Sequence, residues 1–254
     1  MVGFFEAFVL GLVQGVTEWL PVSSSGHLVL VQNFFGISEP VVFDVVLHLA
    51  SLLVILFVFW KDIVKLVSGL LSFEKSSVRF FLMLVLASVP VAFVGFFFND
   101  FIKSIFNNNY TVGVSLLVTS ALLFLSKYPR LKNKSLNFVN SFVVGVAQAA
   151  AILPGISRSG ATISSGLMMG VKKEEVAKFS FLLFIPAIVG AGLFEINSIS
   201  EVSNFSVLFV AFLTALVFGF LSLKLLLSLI KKGKFHYFAW YCLFLGLIVL
   251  INPF

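Results

Sequence analysis

Two short motifs carry most of the side chains in this sequence that could do chemistry. The first runs from Gln14 to His27 and contains a glutamate, a histidine and three consecutive serines. The second runs from Gln148 to Thr162 and contains an arginine flanked by two serines. Gly and Ser at a helix break leave backbone N–H groups unpaired, and the helix start that follows favours an anion. Two such breaks facing each other would therefore form a cradle for phosphate oxygens.

Arg158 is the basic residue of the second motif. An arginine within the membrane needs an anionic partner, and its planar fork suits phosphate. Because intramembrane charges are functional by default, a ligand is favoured. The alternative is that Arg158 pairs with Glu18 or a backbone carbonyl and only holds two segments together. The other predicted substrate-binding residues, whose serines could instead be helix caps, are Ser23, Ser25, Gly26, Ser157, Ser159, Gly160, Thr162 and Gln14.

Glu18 supplies the complementary negative charge, and Gln14 lies one helical turn earlier on the same face. A carboxylate beside an amide oxygen favours a hard divalent cation, Mg²⁺ or Ca²⁺, if substrate phosphate supplies further ligands. Glu18 could instead orient a proton-transfer group or form a simple ion pair with Arg158. We predict a cation site at Glu18 and Gln14.

His27 follows the serine run directly and lies three residues after Ser24. Histidine titrates near neutrality, so it can move protons in phosphate chemistry. The alternative is a histidine that only forms a structural hydrogen bond. Ser24 or Ser25 would act as nucleophile or ligand, and spacing alone does not choose between them. The candidate catalytic residues are therefore Glu18, His27, Ser24 and Arg158.

A few polar residues lie outside the two motifs. Asp44 and His48 form another pair four residues apart, which either lines a water-filled access path or links helices. His236 lies among aromatic and basic residues typical of a membrane boundary. Glu195 and Glu201 are predicted to be ordinary charges of an outer loop.

The composition is that of an integral membrane protein. Of the 254 residues 60% are hydrophobic and only 11% are charged, whereas a soluble domain carries roughly 25% charge. The net charge of +6 does not indicate nucleic-acid binding, because the basic residues fall in short clusters between apolar runs. Cys242 is the single cysteine, so an intrachain disulfide is excluded.

Six apolar runs approach the roughly 20 residues that a transmembrane helix needs. They lie near Val42–Trp60, Val78–Phe98, Tyr110–Ser126, Ala177–Phe194, Phe205–Leu229 and Tyr237–Ile251. Two further segments, Phe4–Phe35 and Phe138–Met169, are broken in the middle by the two motifs. Irregular backbone at membrane depth needs protein or water to satisfy it. We therefore predict two re-entrant helix–loop–helix hairpins.

The basic residues favour this topology. With six crossings and two hairpins, fifteen of the 17 basic residues lie on or near the cytoplasmic side, and both termini lie outside. These fifteen are Lys61, Lys65, Lys75, Arg79, Lys127, Arg130, Lys132, Lys134, Lys172, Lys173, Lys178, Lys224, Lys231, Lys232 and Lys234. A second hairpin that crossed fully would move three lysines outside, against the positive-inside bias.

The two hairpins resemble each other in sequence. Aligned without a gap, they share five identities, which are Gly11/Gly145, Gln14/Gln148, Ser23/Ser157, Ser25/Ser159 and Gly26/Gly160. Each hairpin precedes three spans, an odd number, so the halves insert in opposite directions. We predict one membrane domain over 1–254 with an inverted-topology repeat, the first half at about 1–130 and the second at about 135–254. The alternative is chance similarity between two Gly/Ser-rich breaks.

The segment from Gln14 to His27, QGVTEWLPVSSSGH, resembles the glutamate-rich motif of the undecaprenyl-diphosphate phosphatase family, the bacitracin-resistance proteins. The segment from Pro154 to Thr162, PGISRSGAT, resembles the second motif of that family. The resemblance covers essentially the whole chain. It implies six spans, two re-entrant hairpins, a divalent cation, commonly a homodimer, and hydrolysis of a polyprenyl diphosphate at the outer face of the plasma membrane.

By position, Glu18 and Gln14 match the acidic pair of that family, His27 and Ser24 its proposed base or nucleophile, and Arg158 its phosphate clamp. The sequence departs from the family pattern at the first position of the pair, which is often Glu. Since Gln cannot be a general base, the resemblance implies that Glu18 takes that role. The loss of one negative charge argues against tight two-carboxylate metal binding.

The leading hypothesis is a membrane phosphatase that converts a long-chain polyprenyl diphosphate to the monophosphate and recycles this lipid carrier for envelope glycan synthesis. A transporter or lipid scramblase is the rival, because inverted repeats with broken helices are transporter architecture. Glu18 and His27 beside the break favour the enzyme, since binding alone would not require them. A non-enzymatic scaffold is disfavoured by Arg158 at membrane depth.

Overall fold

The computed structural model describes residues 2–37, 41–106, 108–128, 134–195 and 204–252. Over these residues the chain is helical, and its β structure is limited to one isolated bridge between Lys134 and Val171. The helices are α1 (Phe4–Trp19), α2 (Ser24–Phe35), α3 (Val41–Val58), α4 (Trp60–Leu71), α5 (Lys75–Phe97), α6 (Asn99–Phe106), α7 (Asn109–Leu125), α8 (Phe138–Ala150), α9 (Arg158–Met168), α10 (Lys173–Glu195), α11 (Phe205–Lys231) and α12 (Phe238–Ile251). The predicted all-α class is confirmed.

The six predicted spans coincide with α3, α5, α7, α10, α11 and α12. In the described part of the chain, α5, α10 and α11 are long and apolar enough to cross a membrane. The pairs α3–α4 and α6–α7 raise the number to five if each bent pair counts as one span. The last of the six helices at predicted spans, α12, has 14 residues, which corresponds to a length of about 21 Å. The chain is therefore a multi-pass membrane protein with three to five spans that meet the length requirement.

Large apolar side chains cover the outer faces of these helices. Phe96 of α5, Leu221 of α11 and Phe244 of α12 are all more than half exposed. Soluble proteins rarely expose so large a contiguous apolar surface to water. Lipid must cover these faces, as the composition predicts.

Two sharp bends were not predicted from the sequence. α3 ends at Val58, and α4 leaves it at 76°. The axes of α6 and α7 differ by 103°. In α4 the side chain of Trp60 is largely exposed while lysines line the same short helix. Such amphipathic helices lie along a membrane surface rather than across it.

The first hairpin consists of α1 and α2, whose arms return to the same end. The rings of Phe5, near the start of α1, and Phe35, at the end of α2, lie 6.3 Å apart. α1 packs closely on α11, because a Cβ atom on Gly11 would lie 2.4 Å from the carbonyl oxygen of Ala211. This approach requires glycine.

The second hairpin, α8 and α9, also returns to its starting side. The amide of Lys134 donates to the carbonyl of Gly170 at 2.9 Å, and the amide of Lys172 donates to the carbonyl of Lys134 at 3.1 Å. α8 packs on α5, where a Cβ atom on Gly145 would lie 2.4 Å from the carbonyl oxygen of Ala87. Each of the two broken segments therefore consists of two helices joined by a turn, with its ends close together.

Candidate active site

The tips of the two hairpins meet inside the protein. The amide of Gly155 donates to Ser23 Oγ at 3.0 Å, and a Cβ atom on Gly26 would lie 3.0 Å from the Cα of Gly155. Gly155 itself has a φ of 95°, a conformation that L side chains rarely adopt. The sequence therefore places glycine where the two turns touch. The starts of α2 and α9 are brought to one place, as the cradle hypothesis requires.

Glu18 is the centre of the site and contacts three side chains. Its Oε1 accepts a 2.5 Å hydrogen bond from Arg158 Nη2, and its Oε2 accepts from Ser24 Oγ and, at 3.2 Å, from Gln14 Nε2. The side chains of Glu18 and Arg158 are only 6% and 15% exposed. The alternative considered for Arg158, a pair with Glu18, is thus observed. Four of the predicted site residues form one connected group.

Arg158 nevertheless retains capacity for a further partner. The guanidinium carbon lies 4.0 Å from the centre of the Phe184 ring, so the plane of the fork is fixed by a cation–π contact. Its Nη1 is buried and has no hydrogen-bond partner among the described residues. A buried N–H without a partner costs free energy that an anion would recover. Arg158 therefore forms an ion pair and still has one buried nitrogen without a partner in the described part of the chain.

Ser23 and Ser157 cap the two helices. Ser23 Oγ accepts from the amide of Gly26 at 3.3 Å, and Ser157 Oγ accepts from the amide of Gly160 at 3.0 Å. Ser23 does so with a φ of 71°, which is strained for a residue with a Cβ atom. The cap reading that the sequence left open is observed at both positions.

The remaining predicted phosphate ligands differ in what their hydroxyls already bind. Ser25 Oγ lies 3.3 Å from Ser23 Oγ and is half-buried. Ser159 Oγ donates to the carbonyl of Leu20 at 3.4 Å. The Thr162 hydroxyl donates to the carbonyl of Arg158 and lies 2.6 Å from Ser180 Oγ, so it ties α9 to α10.

His27 lies at the same tip but is bonded elsewhere. Its Nδ1 lies 2.7 Å from the carbonyl oxygen of Ser23, and its Nε2 lies 2.7 Å from the hydroxyl of Tyr241 in α12. The two ring planes differ by only 9°. Neither ring nitrogen of His27 bonds to Ser24, although the two residues are three apart. In this state Ser24 faces Glu18, and His27 faces α12.

Gln14 connects Glu18 to α3. Its Nε2 donates to Ser51 Oγ at 3.3 Å, while its Oε1 is buried without a partner among the described residues. The repeat-related Gln148 has no hydrogen-bond partner for either amide atom in that part of the chain. The two glutamines are therefore equivalent in sequence but not in their surroundings.

The oxygen atoms of this site suit a cation that is bound together with substrate better than a cation that the protein binds alone. Within the described residues, no group of three His, Cys, Asp or Glu side chains could bind a metal ion. Near Glu18 the free oxygen is Gln14 Oε1, and both carboxylate oxygens already accept hydrogen bonds. A hard cation needs about six oxygen ligands. Most of them would have to come from a diphosphate and water.

The residues outside the motifs lie away from this group. His48 Nδ1 lies 2.8 Å from the backbone carbonyl oxygen of Asp44, and His48 lines a cavity of about 230 Å³ between α3 and α10. His236 lies in a short 3-10 turn before α12, where partial burial and then the nearby Lys127 ammonium lower its pKa. Glu201, Arg130 and Lys132 lie outside the described residues, as does the side chain of Glu195.

Several residues of the site carry no sequence signal of their own. Ser51 and Tyr241 lie in apolar runs and reach the motifs only through the fold. Thr119 of α7 braces the second tip, since its hydroxyl donates to the carbonyl of Gly155 and accepts from the amide of Ser157. Phe184 is one of 33 phenylalanines. For Ser51, Tyr241 and Thr119, the only signal in the sequence is a polar residue within an apolar run.

This fold and site define a class, a multi-pass helical membrane protein with a buried carboxylate, guanidinium and hydroxyl group where two broken helices meet. The chain belongs to the bacitracin resistance protein BacA family, whose model matches residues 7–248.

Curated relatives are similar over nearly their whole length. The undecaprenyl-diphosphatase of Methanosphaera stadtmanae is 39% identical, with 99% of this chain and 98% of the relative covered. The undecaprenyl-diphosphatase of Bacteroides thetaiotaomicron is 42% identical, with 98% of each covered. The protein of that name from Carboxydothermus hydrogenoformans is 40% identical, with 97% and 96% covered. These relatives come from both archaea and bacteria.

Proposed function

We propose that this protein hydrolyses undecaprenyl diphosphate to undecaprenyl monophosphate and inorganic phosphate, and so recycles the lipid carrier used for envelope glycan synthesis. The family and the names of its relatives support this reaction. The observation that carries the proposal is the contact of Glu18 with both Arg158 and Ser24 at the meeting point of two helix starts. A transporter or scramblase is not favoured, because the relatives are named as diphosphatases.

Arg158 and the amides at the two helix starts would bind the diphosphate. Because Nη1 of Arg158 has no partner in the described part of the chain, it would donate to a phosphate oxygen. Catalysis of phosphoryl transfer consists mostly of positioning and electrostatic stabilisation. Fixed donors at the hairpin tips meet that need without reorganisation during the reaction.

Ser24 would be the nucleophile and Glu18 its base. The Ser24 hydroxyl already points at Glu18 Oε2. Its oxygen would attack the terminal phosphorus, its proton would pass to Glu18, and the bond to the bridging oxygen would break to release the monophosphate. Water would then cleave the phosphoserine: its proton would pass to His27, and Glu18 would return its proton to the Ser24 oxygen as inorganic phosphate is released. Ser23, Ser25, Ser157 and Ser159 would serve as caps and ligands, with Gly26, Gly160 and Thr162 beside them.

A divalent cation, Mg²⁺ or Ca²⁺, would be held between Glu18, Gln14 Oε1 and the substrate. When bound, it would offset negative charge that accumulates on the transferred phosphoryl group. Arg158 and the two helix starts supply a fixed positive potential. They would therefore orient the diphosphate without the help of additional residues that bind the cation.

For topology we propose six crossings and two re-entrant hairpins in an inverted repeat, with halves at about 1–130 and 135–254. Reciprocal contacts support it. α1 of the first half packs on α11 of the second, and α8 of the second packs on α5 of the first. Gly11 and Gly145 are equivalent in the alignment, and each faces an alanine of the opposite half, Ala211 and Ala87 respectively. The basic residues favour both termini on the outer side of the plasma membrane, and the resemblance to the family implies that the site faces the same side.

The resemblance to the family also leads us to propose a homodimer. Light scattering of the detergent-solubilised protein would give a mass of two chains after subtraction of detergent. A single-chain mass at micromolar concentration would contradict this part of the proposal.

Phosphate release from undecaprenyl diphosphate by the purified protein with Mg²⁺ tests the function. We expect Arg158→Ala to abolish release while the protein stays monodisperse in detergent. Arg79→Ala is the matched control, because Arg79 also lies over an aromatic ring, Phe138 at 5.9 Å, but outside the site. Arg158→Ala activity within a few-fold of wild type would overturn the assignment of this site.

A further inference from the structure

The contact of His27 with Tyr241 assigns a role to a residue that neither motif contains. Tyr241 lies 214 positions after His27 and belongs to α12, yet its hydroxyl is 2.7 Å from His27 Nε2. The next residue, Cys242, directs its thiol at the carbonyl of Pro21. Two adjacent residues of α12 therefore contact the turn between α1 and α2 at Pro21 and the first turn of α2 at His27. α12 braces the tip that carries the candidate chemistry.

The partner of each ring nitrogen defines the protonation of His27. A carbonyl oxygen only accepts hydrogen bonds, so the contact with Ser23 places a hydrogen on Nδ1. In the neutral ring Nε2 is then the basic nitrogen, and the Tyr241 hydroxyl donates to it. Ser23 has its own carbonyl fixed, because its backbone is held at a φ of 71° and its Oγ accepts from Gly155. Tyr241 supplies the second point that orients the ring.

A phenol suits both protonation states of the histidine. It donates to Nε2 when the imidazole is neutral and accepts from Nε2–H after the imidazole has taken a proton, since a hydroxyl group can do either by rotation. Phenylalanine would keep the ring contact and lose both interactions. Among the described residues, Ser23 and Tyr241 are the hydrogen-bond partners of the His27 ring.

We propose that Tyr241 is a positioning residue that acts through His27, by fixing the orientation and the tautomer of its ring and by stabilising the protonated ring. This inference rests on the proposed function, in which His27 accepts the proton of the attacking water. Tyr241 also lines a cavity of about 380 Å³ beside α1, together with Tyr237 and Lys234.

Tyr241→Phe is the first test, with Tyr237→Phe as its matched control. Tyr237 lines the same cavity, and no contact of its ring with His27 is present. We expect Tyr241→Phe to lower kcat about tenfold with KM unchanged, the size of effect that loss of one hydrogen bond near a reacting group produces. Tyr237→Phe should keep both constants. In the His27→Ala background, Tyr241→Phe should cause no further loss.

A second measurement does not depend on activity. Diethyl pyrocarbonate acylates unprotonated imidazole nitrogen, so removing the phenol should speed modification of His27 in Tyr241→Phe severalfold, read by peptide mass spectrometry. His48 and His236 are internal controls and should react at unchanged rates. Equal His27 reactivity in both proteins would overturn the inference.

The outcomes separate this inference from the proposed function. If the wild-type protein releases no phosphate, both are wrong. If wild type is active and Tyr241→Phe retains kcat within twofold, only the role of Tyr241 is wrong. An equal additional loss in the His27→Ala background would also overturn it, because Tyr241 would then act through packing of α12 alone.

Discussion

Glu18 Oε1 and Arg158 Nη2 lie 2.5 Å apart, although one residue belongs to the first hairpin and the other to the second. The pair is buried, and Ser24 and Gln14 bond to the same carboxylate. Opposite charges on the two tips therefore do two things at once. They hold the hairpins together, and they orient a hydroxyl group beside an arginine with a free N–H.

The first prediction concerns the charge of Glu18. Glu18→Gln keeps the shape of the side chain but leaves the Arg158 guanidinium buried without its counter-charge, a change that costs about 3–5 kcal/mol in a buried pair. We expect phosphate release to fall at least about a hundredfold and thermal unfolding in detergent to shift to lower temperature. Fluorescence-detected unfolding and phosphate release would both be measured.

Asp62→Asn is the control for that prediction. Asp62 also pairs with a cation, Lys178, but both side chains are more than a third exposed. Surface pairs contribute about 0–1 kcal/mol, so neither activity nor unfolding should change measurably. Equal effects of the two substitutions would contradict the special role of the buried pair.

The second prediction separates two neighbouring serines. Ser24→Ala removes a hydroxyl whose partner among the described residues is Glu18, so we expect activity to be lost with the unfolding temperature nearly unchanged. Ser23→Ala removes the acceptor of two amides, those of Gly26 and Gly155. Unpaired buried amides cost about 1–3 kcal/mol each, so this variant should unfold at lower temperature. A stable Ser23→Ala protein would show that the tips do not depend on this contact.

The third prediction tests the cation site. Gln14→Glu adds a second carboxylate one turn from Glu18, so less Mg²⁺ should be needed for half-maximal phosphate release. Ser51→Ala, which removes only the other partner of Gln14 Nε2, should leave that Mg²⁺ concentration close to the wild-type value. The measurement is a Mg²⁺ titration of activity after treatment with a chelator. An unchanged midpoint in Gln14→Glu would argue against a cation at these two residues.

The fourth prediction concerns helix packing in the two halves. Gly11→Ala and Gly145→Ala each introduce a Cβ atom 2.4 Å from a backbone oxygen of a facing helix, so both should lower the unfolding temperature. Gly95→Ala is the control, because no atom lies within 4 Å of the added group. There the gain in helix propensity, about 1 kcal/mol, should keep or raise stability. If Gly145→Ala were as stable as Gly95→Ala, the close packing of α8 on α5 would be wrong.

The sequence was sufficient for the all-α class, the positions of the two helix breaks and four members of the central group, which are Glu18, Arg158, Ser24 and Gln14. Clusters of Pro, Gly and Ser within an apolar segment are local signals, so the turns near Ser23 and Ser157 could be predicted directly from the sequence. A buried charge has few possible partners of opposite sign, and the pairing of Glu18 with Arg158 is one of the alternatives that the sequence offers.

Other features depended on tertiary structure. The bend after Val58 depends on how α4 packs on the protein. It could not be predicted, because the apolar composition continues through this point. Ser24 and His27 lie one helical turn apart on α2, but their side chains bond to different helices, Ser24 to Glu18 of α1 and His27 to Tyr241 of α12. Tyr241 itself lies in an apolar run where nothing distinguishes it from a lipid-facing aromatic residue. Such long-range contacts have no local signature.

The separation of Glu18 and Arg158 along the chain, 140 residues, has a consequence for synthesis. At about 5–20 residues per second, on the order of 10 s passes between translation of the glutamate and of its arginine. During that interval the first hairpin has no counter-charge for its carboxylate, which is costly to bury in lipid. Stable burial of the first hairpin therefore has to wait until the ribosome has delivered the second half.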